Sequence, residues 1–202
     1  MNFLAIDTSG AHLSVVAYKN GEAVKTFLPD CATRHSVVLM DEIERTLEKA
    51  GLSVAACDFF AVCVGAGSFT GIRIGIATVK GLCFARGKKA LAITSFDCLA
   101  YSENNGKVLA FVDAGHGNFY AAGYENGELK LAPQFCSGEE VTRLIGEGYA
   151  PIATTRLFEG VRAVDPCEGL KNAVLKKQGE LISPEELIAL YLRKSSAEEQ
   201  RL

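Results

Sequence analysis

The sequence predicts an α/β protein of two related halves, residues 1–104 and 105–202, each a mixed sheet flanked by helices. Three observations carry that prediction. Strand-length apolar alternation gives way repeatedly to helical spacing along the chain. The segment "LAIDTSGAHLSVVAYKNGE" (4–22) reappears as "AFVDAGHGNFYAAGYENGE" (110–128). In both copies an aspartate ends the first strand (Asp7, Asp113), a tyrosine follows (Tyr18, Tyr124) and an Asn-Gly-Glu turn closes the unit, all at one constant offset. One shared spacing arises by chance easily; three in register indicate a duplication, and not a short-period solenoid.

The elements follow in order. Residues 2–7, "NFLAID", alternate and end in a polar turn. Residues 11–18 and 22–28 read as the next two strands, joined by the hairpin signal Asn20-Gly21. From 35 to 50 apolar residues recur at Met40, Ile43, Leu47 and Ala50, with charged residues on the other faces. That is an amphipathic helix, closed by Gly51. A strand near 58–64, a helix near 71–86, a strand at 89–93 and a short helix from Ser95 complete the first half. The pattern restarts after "SENNGK" (102–107) and adds a helix near 138–147 and a strand near 149–154. Residues 155–182 read poorly. "SPEELIALYLR" (183–193) predicts a last helix, with Ser183 as N-cap, Pro184 at the first helical position and Glu186 closing a capping box.

Composition excludes several classes. With 49% hydrophobic and 22% charged residues the chain is an ordinary globular protein. A net charge of -3 is no footprint for gripping nucleic acid unaided. No apolar run approaches the ~20 residues of a membrane span. The opening residues enter a strand pattern directly, with no basic leader, which points to the cytoplasm. The seven cysteines form no C-x-x-C pair, so buried reduced thiols are expected, and no metal site. His12, His35 and His116 stand alone, at no metal-ligand spacing.

Residues 65–81, "GAGSFTGIRIGIATVKG", hold five glycines between a strand and a helix, a common place for a phosphate. A P-loop requires G-x-x-x-x-G-K-[ST], and Lys80 comes too late. A dinucleotide loop requires G-x-G-x-x-G, and Gly71 misses by one place. Packing is the third use. On a helical projection Gly71, Gly75, Thr78 and Leu82 form one flat stripe, and only Arg73 and Lys80 make a charged strip. A surface helix carries a broader polar face than that. Each interior glycine costs ~1 kcal/mol relative to alanine, so a close backbone neighbour is expected, in this chain or in a partner.

Two aspartate-ended strands, each entering a hairpin, resemble the actin/Hsp70/sugar-kinase superfamily, whose duplicated domains are actin-like (ribonuclease H-like). The resemblance implies that "DTSG" (7–10) and "DAGHG" (113–117) are phosphate loops, here vestigial, with Asp7, Thr8, Ser9 and Asp113 as nucleotide-binding candidates. Turn capping is the plainer reading of both aspartates. His116 and Asn118 stand where a phosphate loop prefers Gly and Thr.

The glycine stretch resembles the G-x-G-S-F-T-G-x-R-x-G signature of the bacterial TsaB (YeaZ) family, with Ala66 where proline is usual. "LAIDTS", "RHS" (34–36), "ITSFDCLA", "DAGHGNFYAAGY" with Gly115 for the usual arginine, and "LYLR" (190–193) are similar to family segments too. The resemblance implies a role in making threonylcarbamoyladenosine in tRNA. The catalytic relative holds a metal through an H-x-x-x-H pair on the helix matching 35–50; here Leu39 follows His35, so half the pair is missing. A non-catalytic scaffold or activator subunit is therefore implied, pairing with a TsaD-like catalytic subunit and a TsaE-like ATPase. It would meet tRNA only through the complex, and no membrane. No cofactor is expected on this chain alone; ATP and a metal ion are expected in the assembled complex. The expected partner interface comprises Met40, Ile43 and Leu47 on the first helix. On the glycine helix it takes Gly71, Arg73, Gly75, Thr78 and Leu82. A homodimer through the same helices is expected without the partner. The competing expectation is a small-molecule kinase or ATPase with Asp7 and Asp113 as metal-linked groups.

Overall fold

The computed structural model describes residues 1–102 and 106–193. Its first sheet comprises β1 (Asn2–Asp7), β2 (Leu13–Lys19), β3 (Glu22–Leu28), β4 (Phe59–Cys63) and β5 (Lys89–Ile93), in the order β3-β2-β1-β4-β5. The second comprises β6 (Lys107–Gly115), β7 (Asn118–Glu125), β8 (Glu128–Cys136), β9 (Ala150–Ala153) and β10 (Arg162–Ala163), in the order β10-β9-β6-β7-β8. Each sheet is an antiparallel meander of three strands extended by two parallel ones. The two topologies are the same, so the predicted duplication of an actin-like α/β unit is present. The hairpins explain themselves locally. Lys19 pairs with Glu22 and Glu125 with Glu128, leaving two-residue turns. Asn20, Gly21, Asn126 and Gly127 all have positive φ, as a type I′ turn requires.

Helices α1 (His35–Lys49) and α2 (Phe69–Arg86) cover one face of the first sheet. α3 (Ser95–Ala100) crosses over to pack on the second sheet, where Phe96 and Leu99 meet Val108, Ala110 and Ile152. α4 (Gly138–Gly146) covers that sheet's other face. α5 (Pro166–Lys177) crosses back and buries Leu170, Ala173 and Val174 against Phe3, Ala5 and Val16 of the first sheet. The chain beyond about 165 thus packs with the half in which the chain began. A buried aspartate joins the crossovers. Asp97 accepts hydrogen bonds from the Tyr124 hydroxyl at 2.9 Å and from Lys177 Nζ at 3.0 Å.

Three expectations need correction. α2 starts at Phe69, two residues earlier than read, because Ser68 caps it and takes the Gly71 amide at 3.2 Å. The poorly read region 155–182 contains α5, whose N-cap Asp165 accepts from the amides of Cys167 and Glu168, with Pro166 next. Its buried face is largely small, and an added Cβ on Gly169 would lie 1.6 Å from the Cys98 carbonyl oxygen. Small residues at a backbone crossing leave little apolar periodicity to read. The final segment is not a long helix. The Glu186 carboxylate does accept from the Ser183 amide and hydroxyl, but only a 3-10 turn, Pro184–Glu186, forms. Leu187 is already extended and buried, and the Leu190 amide donates to the Val64 carbonyl at 2.7 Å. Anchoring both leucines in the first half's core outweighs one capping box. No helix among the described residues is long and apolar enough to cross a membrane.

Candidate functional site

A cleft of about 520 Å³ opens between the halves, and both turn aspartates line it. They differ in environment. Asp7 is buried; its Oδ1 accepts from the Ser9 amide at 2.7 Å, and its Oδ2 lies 3.5 Å from His12 Nε2. Burial pushes the Asp7 carboxyl up, but His12 and the Ser9 bonds more than offset it and hold it below its ordinary 3.8. Asp113 is exposed, and its Oδ1 accepts from the Gly115 amide at 2.8 Å. Each aspartate thus caps its own turn.

The glycine stretch closes on the first turn. The Ser68 amide donates to the Ser9 carbonyl at 2.7 Å, and the Thr8 hydroxyl donates to the Gly71 carbonyl at 2.7 Å. An added Cβ would lie 2.2 Å from the Ser9 carbonyl oxygen at Gly67, 2.0 Å from that of Thr8 at Gly71, and 2.6 Å from the Thr8 hydroxyl at Gly75. These glycines admit the first turn of the same chain. Gly81, by contrast, has nothing within 4 Å of such a Cβ.

That placement corrects part of the expected interface. Gly71 and Gly75 are buried against the Asp7 turn, and Ile43 and Leu47 are buried in the core beneath α1. None of the four reaches a partner while the chain is folded. Met40 and Arg73 are exposed, and Thr78 and Leu82 are half-buried. Other exposed apolar side chains, which the sequence reading passed over, are Val37 at 74% exposure, Phe84 at 59% and Ile188 at 74%, with Met40 itself at 55%. Arg73 Nε donates to the Tyr191 hydroxyl at 2.8 Å, and the Tyr191 ring stacks on Phe69 with centroids 4.4 Å apart. His35 and Leu39, at the position of the missing histidine pair, are both buried; His35 Nε2 lies 2.9 Å from the His12 carbonyl oxygen.

The residues fit a magnesium nucleotide held by this chain poorly. Gly10, the open glycine of the first turn, is covered by the His12 ring, which an added Cβ would meet at 2.8 Å. The Ser9 amide, which would have to meet a phosphate, is already spent on Asp7. The buried polar residues instead converge behind Asp7. Its carboxylate and the sulfurs of Cys63 and Cys98 bring ligand-type atoms within 4.8 Å of one another. The Ser9 and Ser95 hydroxyls lie 3.4 Å and 3.2 Å from Cys63 Sγ. All seven cysteines are buried free thiols, as expected. Sequence reasoning took His12 as a surface or packing residue and Cys63 and Cys98 as buried reduced thiols. In the structure β1 pairs with β4 through Ile6 and Val62, which puts Asp7 beside Cys63, a register that the sequence does not announce.

Comparison with known proteins agrees with this architecture. Residues 11–199 match the family described as "TsaD: tRNA N6-adenosine threonylcarbamoyltransferase". The chain is 31% identical to the tRNA threonylcarbamoyladenosine biosynthesis protein TsaB of Escherichia coli, over 91% of this chain and 82% of that protein. It is 27% identical to a tRNA N6-adenosine threonylcarbamoyltransferase of Geobacillus kaustophilus, over 93% of this chain and 69% of that one. The solved structure of YeaZ from Pseudomonas aeruginosa superposes with a TM-score of 0.80 at 27% identity, covering 95% of this chain and 99% of that one. The duplicated fold, the glycine helix sealed on the first aspartate turn and these matches together place the chain in the TsaB (YeaZ) family.

Proposed function

We propose that this chain is a non-catalytic scaffold or activator subunit for threonylcarbamoyl transfer to adenosine in tRNA. It pairs with a TsaD-like catalytic subunit, works with a TsaE-like ATPase in the cytoplasm, and meets tRNA through the complex. The observation that carries the reading is an inversion of what an enzyme presents. The group able to hold a metal-nucleotide, Asp7, is buried and paired, while Val37, Met40 and Phe84 stand in solvent on α1 and α2. Apolar side chains left exposed on both helices support a subunit contact, or a homodimer when the partner is absent. ATP and a metal ion then belong to the assembled complex.

The test is reconstitution. Purified chain with tRNA, threonine, bicarbonate and ATP is expected to yield no modified adenosine, and adding the TsaD-like and TsaE-like proteins to yield it. Product from the chain alone would overturn the proposal. The meeting of Asp7 and Asp113 in one cleft favours a second reading, a small-molecule kinase or ATPase. Calorimetry with Mg-ATP separates the two: tight binding abolished by Asp7→Ala would support the kinase.

A further inference from the structure

We propose that Asp7, Cys63 and Cys98 form a zinc-binding site at the floor of the cleft. Three elements deliver the ligands: the end of β1, the end of β4 and the middle of α3. All three residues are buried, and their ligand atoms lie within 4.8 Å of one another. Tetrahedral zinc with bonds of ~2.0–2.3 Å holds its ligand atoms ~3.3–3.8 Å apart. The cluster therefore needs to close by at most about 1.5 Å. Two sulfurs and one carboxylate are a soft, partly anionic set, which favours Zn²⁺ over Mg²⁺ or Ca²⁺.

The charge balance permits loading. Zn²⁺ brings two positive charges, forms two Zn–S bonds, and releases one proton from each thiol to solvent. The Asp7 carboxylate, which accepts from the Ser9 amide, enters as an anion and releases none. Net charge in the buried cluster is unchanged, so the ion adds no uncompensated charge. Today the Cys63 thiol donates to the Ser9 hydroxyl. Once the sulfur is a thiolate, the Ser9 hydroxyl, now shared with Ser95 at 3.0 Å, can turn and donate to it, the support that metal ligands commonly receive, while Ser95 stays bonded to the Ala66 carbonyl. His12 Nε2 lies 3.5 Å from the second oxygen of Asp7 and steadies the carboxylate. Asp7 and Cys98 line the cleft, which provides the entry path and leaves the fourth position to water.

Cobalt(II) is the probe, titrated into the reduced full-length chain. One equivalent is expected to produce thiolate-to-cobalt charge-transfer absorption with the visible bands of a tetrahedral site, and zinc to displace it. Cys63→Ala and Cys98→Ala should each lower affinity at least tenfold and halve the charge-transfer intensity. Cys57→Ala and Cys136→Ala, outside the cluster, should change neither. Asp7→Asn, which keeps the side-chain volume, should weaken binding with both Co–S bonds intact, and serves if an alanine variant fails to fold. Absence of the absorption in the unaltered chain would overturn the proposal. So would its survival at full strength after loss of Cys63 and Cys98.

Discussion

Gly71→Ala isolates the close approach of α2 to the first aspartate turn. By helix propensity alone the change should stabilise the protein by up to ~1 kcal/mol. The structure sets a larger opposing effect. The new Cβ would lie 2.0 Å from the Thr8 carbonyl oxygen, where real contacts essentially never fall below 3.0 Å. Both groups are backbone, so α2 or the Thr8 turn must move by about 1 Å, an overpacking strain of typically ~1–3 kcal/mol. The same movement stretches the buried Thr8 hydroxyl bond to the Gly71 carbonyl, worth ~0.5–1.5 kcal/mol net. The balance is a destabilisation of about 1–3 kcal/mol, or roughly 2–12 °C in Tm for a chain of this size. Gly81→Ala, in the same helix with open space around it, should instead gain up to ~1 kcal/mol. Thermal unfolding of the two variants beside the parent checks both signs. If Gly71→Ala matched Gly81→Ala in sign, the argument that the glycine admits the turn would fail.

Tyr124→Phe removes a hydrogen bond to the buried Asp97 carboxylate that joins the crossovers. A bond to a charged group is worth ~1.5–3 kcal/mol, so Tm should fall by roughly 3–12 °C; an unchanged Tm would remove Asp97 from the account of how the halves are held. Lys171 and Lys25 hold the Glu168 carboxyl at about 2, against an ordinary 4.5. Its contribution to stability is complete above 4.5 and is lost as pH falls toward 2. Lys25→Met should therefore flatten the loss of Tm between those limits, and an identical acid limb in the variant would show that the pair contributes nothing. Val37→Glu, on the exposed face of α1, should leave the isolated chain's Tm within about 2 °C, as surface changes do, and abolish co-purification with a TsaD-like partner; retained pairing would move the interface elsewhere.

What was legible in the sequence was whatever local chemistry decides. Asn20-Gly21 and Asn126-Gly127 specify their turns without help from the rest of the molecule, and the register of both meanders follows. α1 was legible because Ile43, Leu47 and Ala50 recur above charged residues, but its stripe was read through Met40, which is exposed, while Leu39 beside it takes the buried place. α5 was hidden because Gly169 and Ala173 bury little apolar area and serve a backbone crossing. The segment after Ser183 misled for the opposite reason: its local signal was real, and Val64 and the core claimed Leu187 and Leu190 for a strap. The site was less legible than the fold. Asp7 and Asp113 stood out by repetition, but Cys98 joins Asp7 only because α3 leaves the first sheet and lies at the cleft. That is a tertiary fact with no spacing to announce it.

The duplication also explains why the two turns came to differ. In the first half α2 follows β4 and seals the Asp7 turn through Gly67, Gly71 and Gly75. In the second half residues 154–161 connect β9 to β10 with no helix at all. The Asp113 turn therefore has no counterpart of α2 to pack on, and its aspartate is exposed. Two loops that would have to grip one nucleotide from opposite sides are thus unequal, one closed by its own chain and one left open. Sealing the first turn fixes the N-terminal end of α2, because Thr8 and Ser9 bond to Gly71 and Ser68. A helix fixed at that end presents Arg73 and Phe84 in a constant orientation, which a docking surface needs and a nucleotide clamp that opens and closes does not. The glycines that looked like a phosphate cradle thereby hold α2 in place, and under the proposed pairing they would serve the interface indirectly.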